Sequence, residues 1–111
     1  MFQISLNRIH DTVKIAEGTD SITLKVNGDP NRMVAGLTAV HKMLQAVNDE
    51  SKPEEVENTA LFFAGVIFGT EQAKALMDFY RGDAGCVINV CGKYFAERLK
   101  TLIIKAQKKA K

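Results

Sequence analysis

The chain has 111 residues, of which 46% are apolar and 25% charged, a balance typical of a globular domain and not of a disordered or fibrous chain. This length predicts one domain, residues 1–111, with a modest core. The formal net charge of +2 excludes a uniformly basic or acidic protein. The longest apolar run, from Ala60 to Phe68, is too short to cross a bilayer.

The N-terminal part, residues 1–28, is rich in β-forming residues. Residues 2–6 alternate between apolar and polar side chains, as a half-buried strand does. The β-branched segments 12–15 and 21–26 flank a stretch with turn chemistry, 17–20. This part of the chain therefore predicts a β-hairpin, or a small antiparallel sheet that includes the first strand.

A first helix is predicted from Pro30, because Asp29 can accept hydrogen bonds from the first turn and proline fits there. Apolar residues then follow at helical spacing from Met33 to Val47. His41 lies at the edge of this apolar stripe, where the sequence marks no carboxylate or nucleophile beside it. We therefore interpret it as a packed or partly exposed histidine and not as an acid-base catalyst.

A second helix is predicted after Ser51, which we interpret as its N-cap, with Pro53 in the first turn and two glutamates behind it. The helix reaches Phe68, and its apolar face widens until it is nearly continuous. This face must be covered by the hairpin and the last helix, by another copy, or by a partner protein. Gly65 costs this helix about 1 kcal/mol relative to alanine, which predicts close helix packing there.

The remaining sequence predicts two more helices. Thr70 can cap a short helix that carries the segment from Ala73 to Arg81 and ends at Gly82, and Asp83 can cap the last helix. The last helix has an apolar face that consists of Val87, Val90, Cys91, Tyr94, Phe95, Leu99, Leu102, Ile103 and Ala106. With about four helices in residues 30–111, we expect an α+β fold that is mainly α.

The sequence contains no catalytic, phosphate-binding or dinucleotide-binding motif, so we expect a protein that is not an enzyme. Cys86 and Cys91 lie five residues apart on one predicted helix and point in different directions, which predicts two reduced packing residues. His10 and His41 belong to separate segments without a paired ligand. We therefore predict neither a metal site nor a cofactor.

Charge is distributed unevenly along the chain. Residues 84–111 have a net charge of +6 and end in a basic tail, whereas residues 1–83 have a net charge of −4. Clustered lysines can bind nucleic acid, but lysines at a helix C-terminus also complement the helix dipole and keep an exposed tail solvated. No aromatic residue is interleaved among these lysines to stack on bases, and we favour the second interpretation.

Three features follow one another in the second half of the chain: the Phe-Gly-Thr-Glu-Gln segment at 68–72, the Asp-Phe-Tyr-Arg-Gly-Asp segment at 78–83, and a long helix that closes on lysines. In this order they resemble the small tail assembly chaperones of long-tailed bacteriophages and prophages. The resemblance implies a non-enzymatic protein that binds the tape-measure protein, the tail tube protein or both during tail morphogenesis, and that leaves before the tail is finished. This family often also makes a longer, frameshifted product, with which Lys108-Lys109 is compatible.

The resemblance also implies a partner surface formed by apolar residues of the last two helices. The candidate partner-binding residues are Phe79, Tyr80, Tyr94, Leu99 and Ile103. For any one of them, packing in the core of the protein itself is the more common role. The N-terminus lacks the features of a secretory signal, so we expect the protein in the bacterial host cytoplasm.

Two alternatives stay open at this point. One is a small nucleic-acid-associated protein of a mobile element, held by its basic C-terminal helix through salt-sensitive contacts. The other is a self-associating structural component of the tail, which would form rings or tubes of its own copies.

Overall fold

A computed structural model describes residues 8–109, which form an N-terminal hairpin followed by helices. The elements are β1 (Ile9–Glu17), β2 (Asp20–Gly28), α1 (Pro30–Ala46), α2 (Pro53–Phe68), α3 (Thr70–Phe79), α4 (Ala84–Tyr94), a π-helical turn (Phe95–Leu99) and α5 (Lys100–Lys109). Because α4, the π turn and α5 are continuous, they form one long C-terminal helix, the fourth helix of the fold. The predicted α+β class, mainly α, is confirmed; the strand predicted at 2–6 lies outside the described residues.

The hairpin pairs β1 and β2 in antiparallel register from Ile9 opposite Gly28 to Glu17 opposite Asp20. Gly18, the first residue of the two-residue loop, has φ +62, which glycine adopts without strain. Alternate side chains on one face of the hairpin are buried or half-buried against the helices. The hairpin prediction is confirmed, and both strands are longer than the β-branched segments that predicted them.

Helix α2 is the centre of the fold and packs against α1, α3, α4 and β2. Its buried side chains include Phe63, Ile67 and Phe68. Gly36 of α1 allows α1 to approach α2 closely, because a Cβ atom at this position would lie 2.8 Å from both methyl groups of Val66. The prediction of close packing at Gly65 was wrong, since a Cβ atom there would meet nothing within 4 Å.

Two predicted helix caps are confirmed. The Asp29 carboxylate accepts hydrogen bonds from the backbone N–H groups of Asn31 and Arg32 at the start of α1. The Asp83 carboxylate accepts one from Cys86 at the start of α4. Both aspartates therefore satisfy N–H groups that the first helical turn leaves without partners.

Two other predicted caps were wrong. The residue before α2 is Lys52, while the Ser51 hydroxyl accepts a hydrogen bond from the backbone N–H of Asn48 and closes the preceding turn. Thr70 is the first residue of α3, and Gly69 flanks both α2 and α3 with φ +89. Gly69 alone therefore ends α2 and precedes α3, so Thr70 does not act as a separate cap.

The π turn changes the phase of the C-terminal helix. Val87, Cys91 and Tyr94 are buried at steps of four and three residues, but the next buried residue, Leu99, follows after five. The backbone N–H of Lys100 donates to the carbonyl of Phe95, which is the i→i−5 bond of a π-helix. A regular α-helix would carry the buried stripe from Tyr94 to Arg98; the π turn carries it to Leu99.

A side chain from α3 lies along the outer edge of β2. Gln72 accepts a hydrogen bond from the backbone N–H of Lys25 and donates to the Lys25 carbonyl, at 2.8 and 2.7 Å. It also donates to the carbonyl of Phe68 at 2.6 Å. Through these three bonds, one amide joins the hairpin to the junction of α2 and α3.

Candidate functional site

An open apolar groove with a volume of about 600 Å³ runs between α1 and the second half of the C-terminal helix. We call it the α1–α5 groove. The α1 side includes Val34, Leu37, His41 and Leu44, the C-terminal helix contributes Gly92, Phe95, Lys100, Ile103 and Ile104, and α2 contributes Phe63. The groove is therefore a gap between two helices that both pack on the same core.

Large apolar side chains on both sides of this groove remain in contact with solvent. Val34 on α1 is 38% exposed and Ile104 on α5 is 44% exposed, whereas Val40 and Ile103 lie buried at its base. At its other end Gly92 adds no side chain, and a Cβ atom there would meet nothing within 4 Å. The fold thus leaves apolar surface uncovered here, as is typical of binding sites.

The two helices that flank the groove carry more basic than acidic residues. Helix α1 contains Arg32 and Lys42 and no acid, whereas the C-terminal helix contains Lys100, Lys105 and Lys108 in α5 and one acid, the exposed Glu97, in the π turn. Of these, Lys100 lines the groove itself. At one end, Gln107 of α5 lies 3.5 Å from Asn31 of α1 and links the two helices. The groove is therefore apolar along its base, with one lysine, Lys100, on the side of the C-terminal helix.

The hairpin is attached to the C-terminal helix by a polar cluster of Asp11, Tyr94 and Arg98. Arg98 donates from Nε and Nη2 to the two carboxylate oxygens of Asp11, at 2.5 and 3.0 Å, and the Tyr94 hydroxyl donates to the same carboxylate at 2.6 Å. The Arg98 hydrogen bonds lower the pKa of Asp11, against the opposing effect of burial. Asp11 is therefore a buried anion with charged and neutral donors.

Tyr80 makes a second polar contact with the hairpin. Its hydroxyl donates to a carboxylate oxygen of Glu17 at 2.8 Å, and its ring meets Phe79 edge-to-face with centroids 5.1 Å apart. Burial, together with the hydrogen bond to Glu17, raises the pKa of Tyr80 to about 12. Tyr80 therefore acts as a neutral donor that holds the loop end of the hairpin.

The structure separates the five residues predicted to bind a partner. Phe79 and Tyr80 are half-buried beside the hairpin, and Tyr94 is buried and stacked on the ring of Phe68. Leu99 is fully buried and presents no surface, while Ile103 is buried at the base of the α1–α5 groove. Only Ile103 thus belongs to the open site.

Sequence reasoning did not select Val34 or Ile104, the two most exposed apolar residues of the site. Their helical spacing alone places them beside core residues. The available signal was the charge of their neighbours, since the sequences of α1 and α5 contain basic residues and no acid. His41 also lines the groove and is exposed, in agreement with the partly exposed histidine that was one of the two predicted environments.

The remaining reactive groups do not form a site with the groove. Cys86 and Cys91 are free thiols, and burial raises the pKa of Cys91 to about 12. A hydrogen bond involving Asp83 raises the pKa of Cys86, so both thiols are protonated at neutral pH. Among residues 8–109, no three His, Cys, Asp or Glu side chains lie close enough to hold a metal ion.

Compared with protein-family models, with curated proteins and with solved structures, the chain has no match. The resemblance to tail assembly chaperones therefore stays a prediction from sequence pattern. In the part of the chain that the structure describes, no helix combines the length and the apolar character needed to cross a bilayer.

Proposed function

We propose that the protein is a non-enzymatic chaperone of bacteriophage or prophage tail assembly, which binds the tape-measure protein, the tail tube protein or both in the host cytoplasm. The observation that carries this proposal is the open α1–α5 groove, with Val34 and Ile104 exposed on its two sides. The order of sequence features in residues 68–111, described above, supports the same function.

A groove of this kind suits a protein that holds another chain temporarily. The core below the groove is complete without a partner, since Val40 and Ile103 are already buried at its base. Binding therefore needs no refolding of the chaperone, and release leaves a folded protein behind. Exposed apolar side chains in a concave surface can cover an apolar stretch of a partner that would otherwise aggregate.

The proposal can be tested by affinity purification of the tagged protein from cells that express the neighbouring genes, with mass spectrometry of the bound proteins. We expect recovery of a long helical protein or a tube subunit, unchanged by nuclease treatment. The Ile104→Glu variant should lose these partners because it places a charge in the groove. Phe62→Glu is the matched control, since Phe62 is 42% exposed on α2 and does not line the groove.

The same experiment distinguishes the two alternatives. Recovery of nucleic-acid-associated proteins that disappears after nuclease treatment would replace the chaperone function by nucleic-acid association through the basic helix. Recovery of the chain alone, together with large rings or tubes in sedimentation, would replace it by a self-associating tail component.

A further inference from the structure

We infer that the α1–α5 groove binds an amphipathic helix with an apolar stripe flanked by Asp and Glu residues. This inference rests on the proposed function and deepens it, because it states which kind of partner segment the chaperone holds. It is carried by three observations: the length of the groove, its uncovered apolar sides and the excess of basic over acidic residues on both flanking helices.

The length of the groove matches two to three turns of a helix. On α1 its lining extends from Val34 to Leu44, which at 1.5 Å per residue is about 15 Å. Apolar anchors at positions i, i+3 or i+4, and i+7 of a bound helix span roughly 10 Å. Such a helix would place three side chains over the groove and cover Val34 and Ile104 from both sides.

The charges of the flanking helices determine which residues should stand beside the apolar stripe of the bound helix. Lys100 lines the groove, and Lys105 and Lys108 are exposed on the same helix, while α1 adds Arg32 and Lys42. Because the basic residues of the flanking helices outnumber their one acid, Glu97, a basic helix would meet mainly like charge. Carboxylates beside the apolar stripe would instead be attracted, most directly by Lys100, which lines the groove.

The same charges argue against a second copy of the chain in this groove. A symmetric dimer would bring two copies of α1 and of the C-terminal helix together, and in each copy the basic residues outnumber the one acid, Glu97. Nucleic acid would satisfy the lysines, but it would leave the apolar side chains of Val34 and Ile104 without an apolar partner. An acidic amphipathic helix satisfies both the charge and the apolar surface.

The test uses the full chain and fluorescence anisotropy with labelled peptides of about 18 residues, or five helical turns. One peptide has a leucine stripe flanked by glutamates, the second has lysines in place of the glutamates, and the third has the composition of the first in scrambled order. We expect the acidic amphipathic peptide to bind at least about tenfold tighter than either control.

Variants then locate the binding. Ile104→Glu should weaken the acidic peptide by about tenfold or more, whereas the matched Phe62→Glu variant should change its affinity less than about twofold. Lys100→Glu should weaken the acidic peptide by about fivefold and improve the lysine peptide, because it reverses one charge of the groove. If Ile104→Glu does not melt cooperatively, Val34→Glu tests the opposite side of the groove.

Several results would overturn the inference. The acidic and lysine peptides could bind with equal affinity, or the scrambled peptide could bind as well as the acidic one. The affinity for the acidic peptide could be unchanged by Ile104→Glu. Finally, self-association of the chain or a short oligonucleotide could displace the bound peptide. Failure of the proposed function gives a different result, in which the acidic peptide binds but affinity purification recovers no tail protein. Conversely, tail proteins that still bind the Ile104→Glu variant would preserve the function and place its contact elsewhere.

Discussion

The two halves of the C-terminal helix differ in what they pack against. Helix α4 packs on α2, with Val87 and Cys91 fully buried. Helix α5 lies beside α1 and leaves an open groove, with Ile104 44% exposed. Although α4, the π turn and α5 form one continuous helix, α4 mainly completes the core, whereas α5 forms most of one side of the α1–α5 groove.

The π turn lies at the boundary between these halves. It places Leu99 in the core, keeps Arg98 on the side of Asp11, and brings Phe95 and Lys100 to the groove. Single π turns occur frequently at functional sites because the extra residue redirects the side chains around it. One inserted residue thus separates a buried stripe from groove-lining residues within a single helix.

Changing the length of the π turn is the strongest way to break this separation. Inserting an alanine after Ala96 would move Leu99 out of the core and should cost more than about 4 kcal/mol of unfolding free energy. Deleting Ala96 should cost less than about 2 kcal/mol, because Leu99 would then follow Tyr94 by four residues, as a regular α-helix requires. Chemical denaturation measures both, and equal losses would refute the assigned role of the turn.

Truncating one side chain from each environment sharpens the comparison. Leu99→Ala should lower the unfolding free energy by about 3 kcal/mol, because Leu99 is fully buried and its truncation leaves a cavity. Ile104→Ala should change it by less than about 0.5 kcal/mol, because its side chain is largely exposed. Urea denaturation of the two variants gives the comparison directly, and similar losses would show that the groove is part of the core.

The attachment of the hairpin to the π turn can be tested through pH. Pairing with Arg98 lowers the pKa of Asp11, so its carboxylate stabilises the folded protein above the ordinary value of 3.8 and loses this effect as the pH falls below it. Asp11→Asn should therefore cost about 1–2 kcal/mol at pH 7, and this difference should shrink below pH ~4. The exposed Asp20→Asn is the control, and a difference independent of pH would contradict the assignment.

A pair of glycine substitutions tests how firmly the α1 side of the groove is held on α2. Gly36→Ala should lower the unfolding free energy by about 1 kcal/mol, because overlap with Val66 outweighs the helix propensity of alanine. Gly65→Ala, where the space is open, should raise it by up to about 1 kcal/mol. Thermal melts of both variants suffice, and stabilisation by both would mean that α1 moves freely on α2.

Local chemistry in the sequence predicted the elements well. The β-branched segments around 17–20 predicted the hairpin, and Asp29 and Asp83 predicted two helix starts, because a cap depends on residues only a few positions away. Ser51 and Thr70 were assigned wrongly for a related reason: a neighbouring lysine and a neighbouring glycine took the boundary positions. Such competition between adjacent residues is decided by backbone geometry, which composition does not contain.

The candidate site depends on contacts between distant parts of the chain, and the sequence did not predict it. The groove requires α1 and α5 to lie side by side. The polar cluster joins Asp11 to Tyr94 and Arg98, which follow it in the sequence by 83 and 87 positions. One signal was present: Asp11 stands in the alternating row of Ile9, Val13 and Ile15, and a buried carboxylate needs a partner.

The amide of Gln72 has a consequence for how the protein behaves at high concentration. An exposed strand edge invites further strands, which is a common start of amyloid-like aggregation. On β2 the backbone N–H and C=O of Lys25 are already paired with this amide, which is itself bonded to Phe68. An incoming strand would have to displace three hydrogen bonds before it could pair there, so a single glutamine protects this part of the edge at high protein concentration.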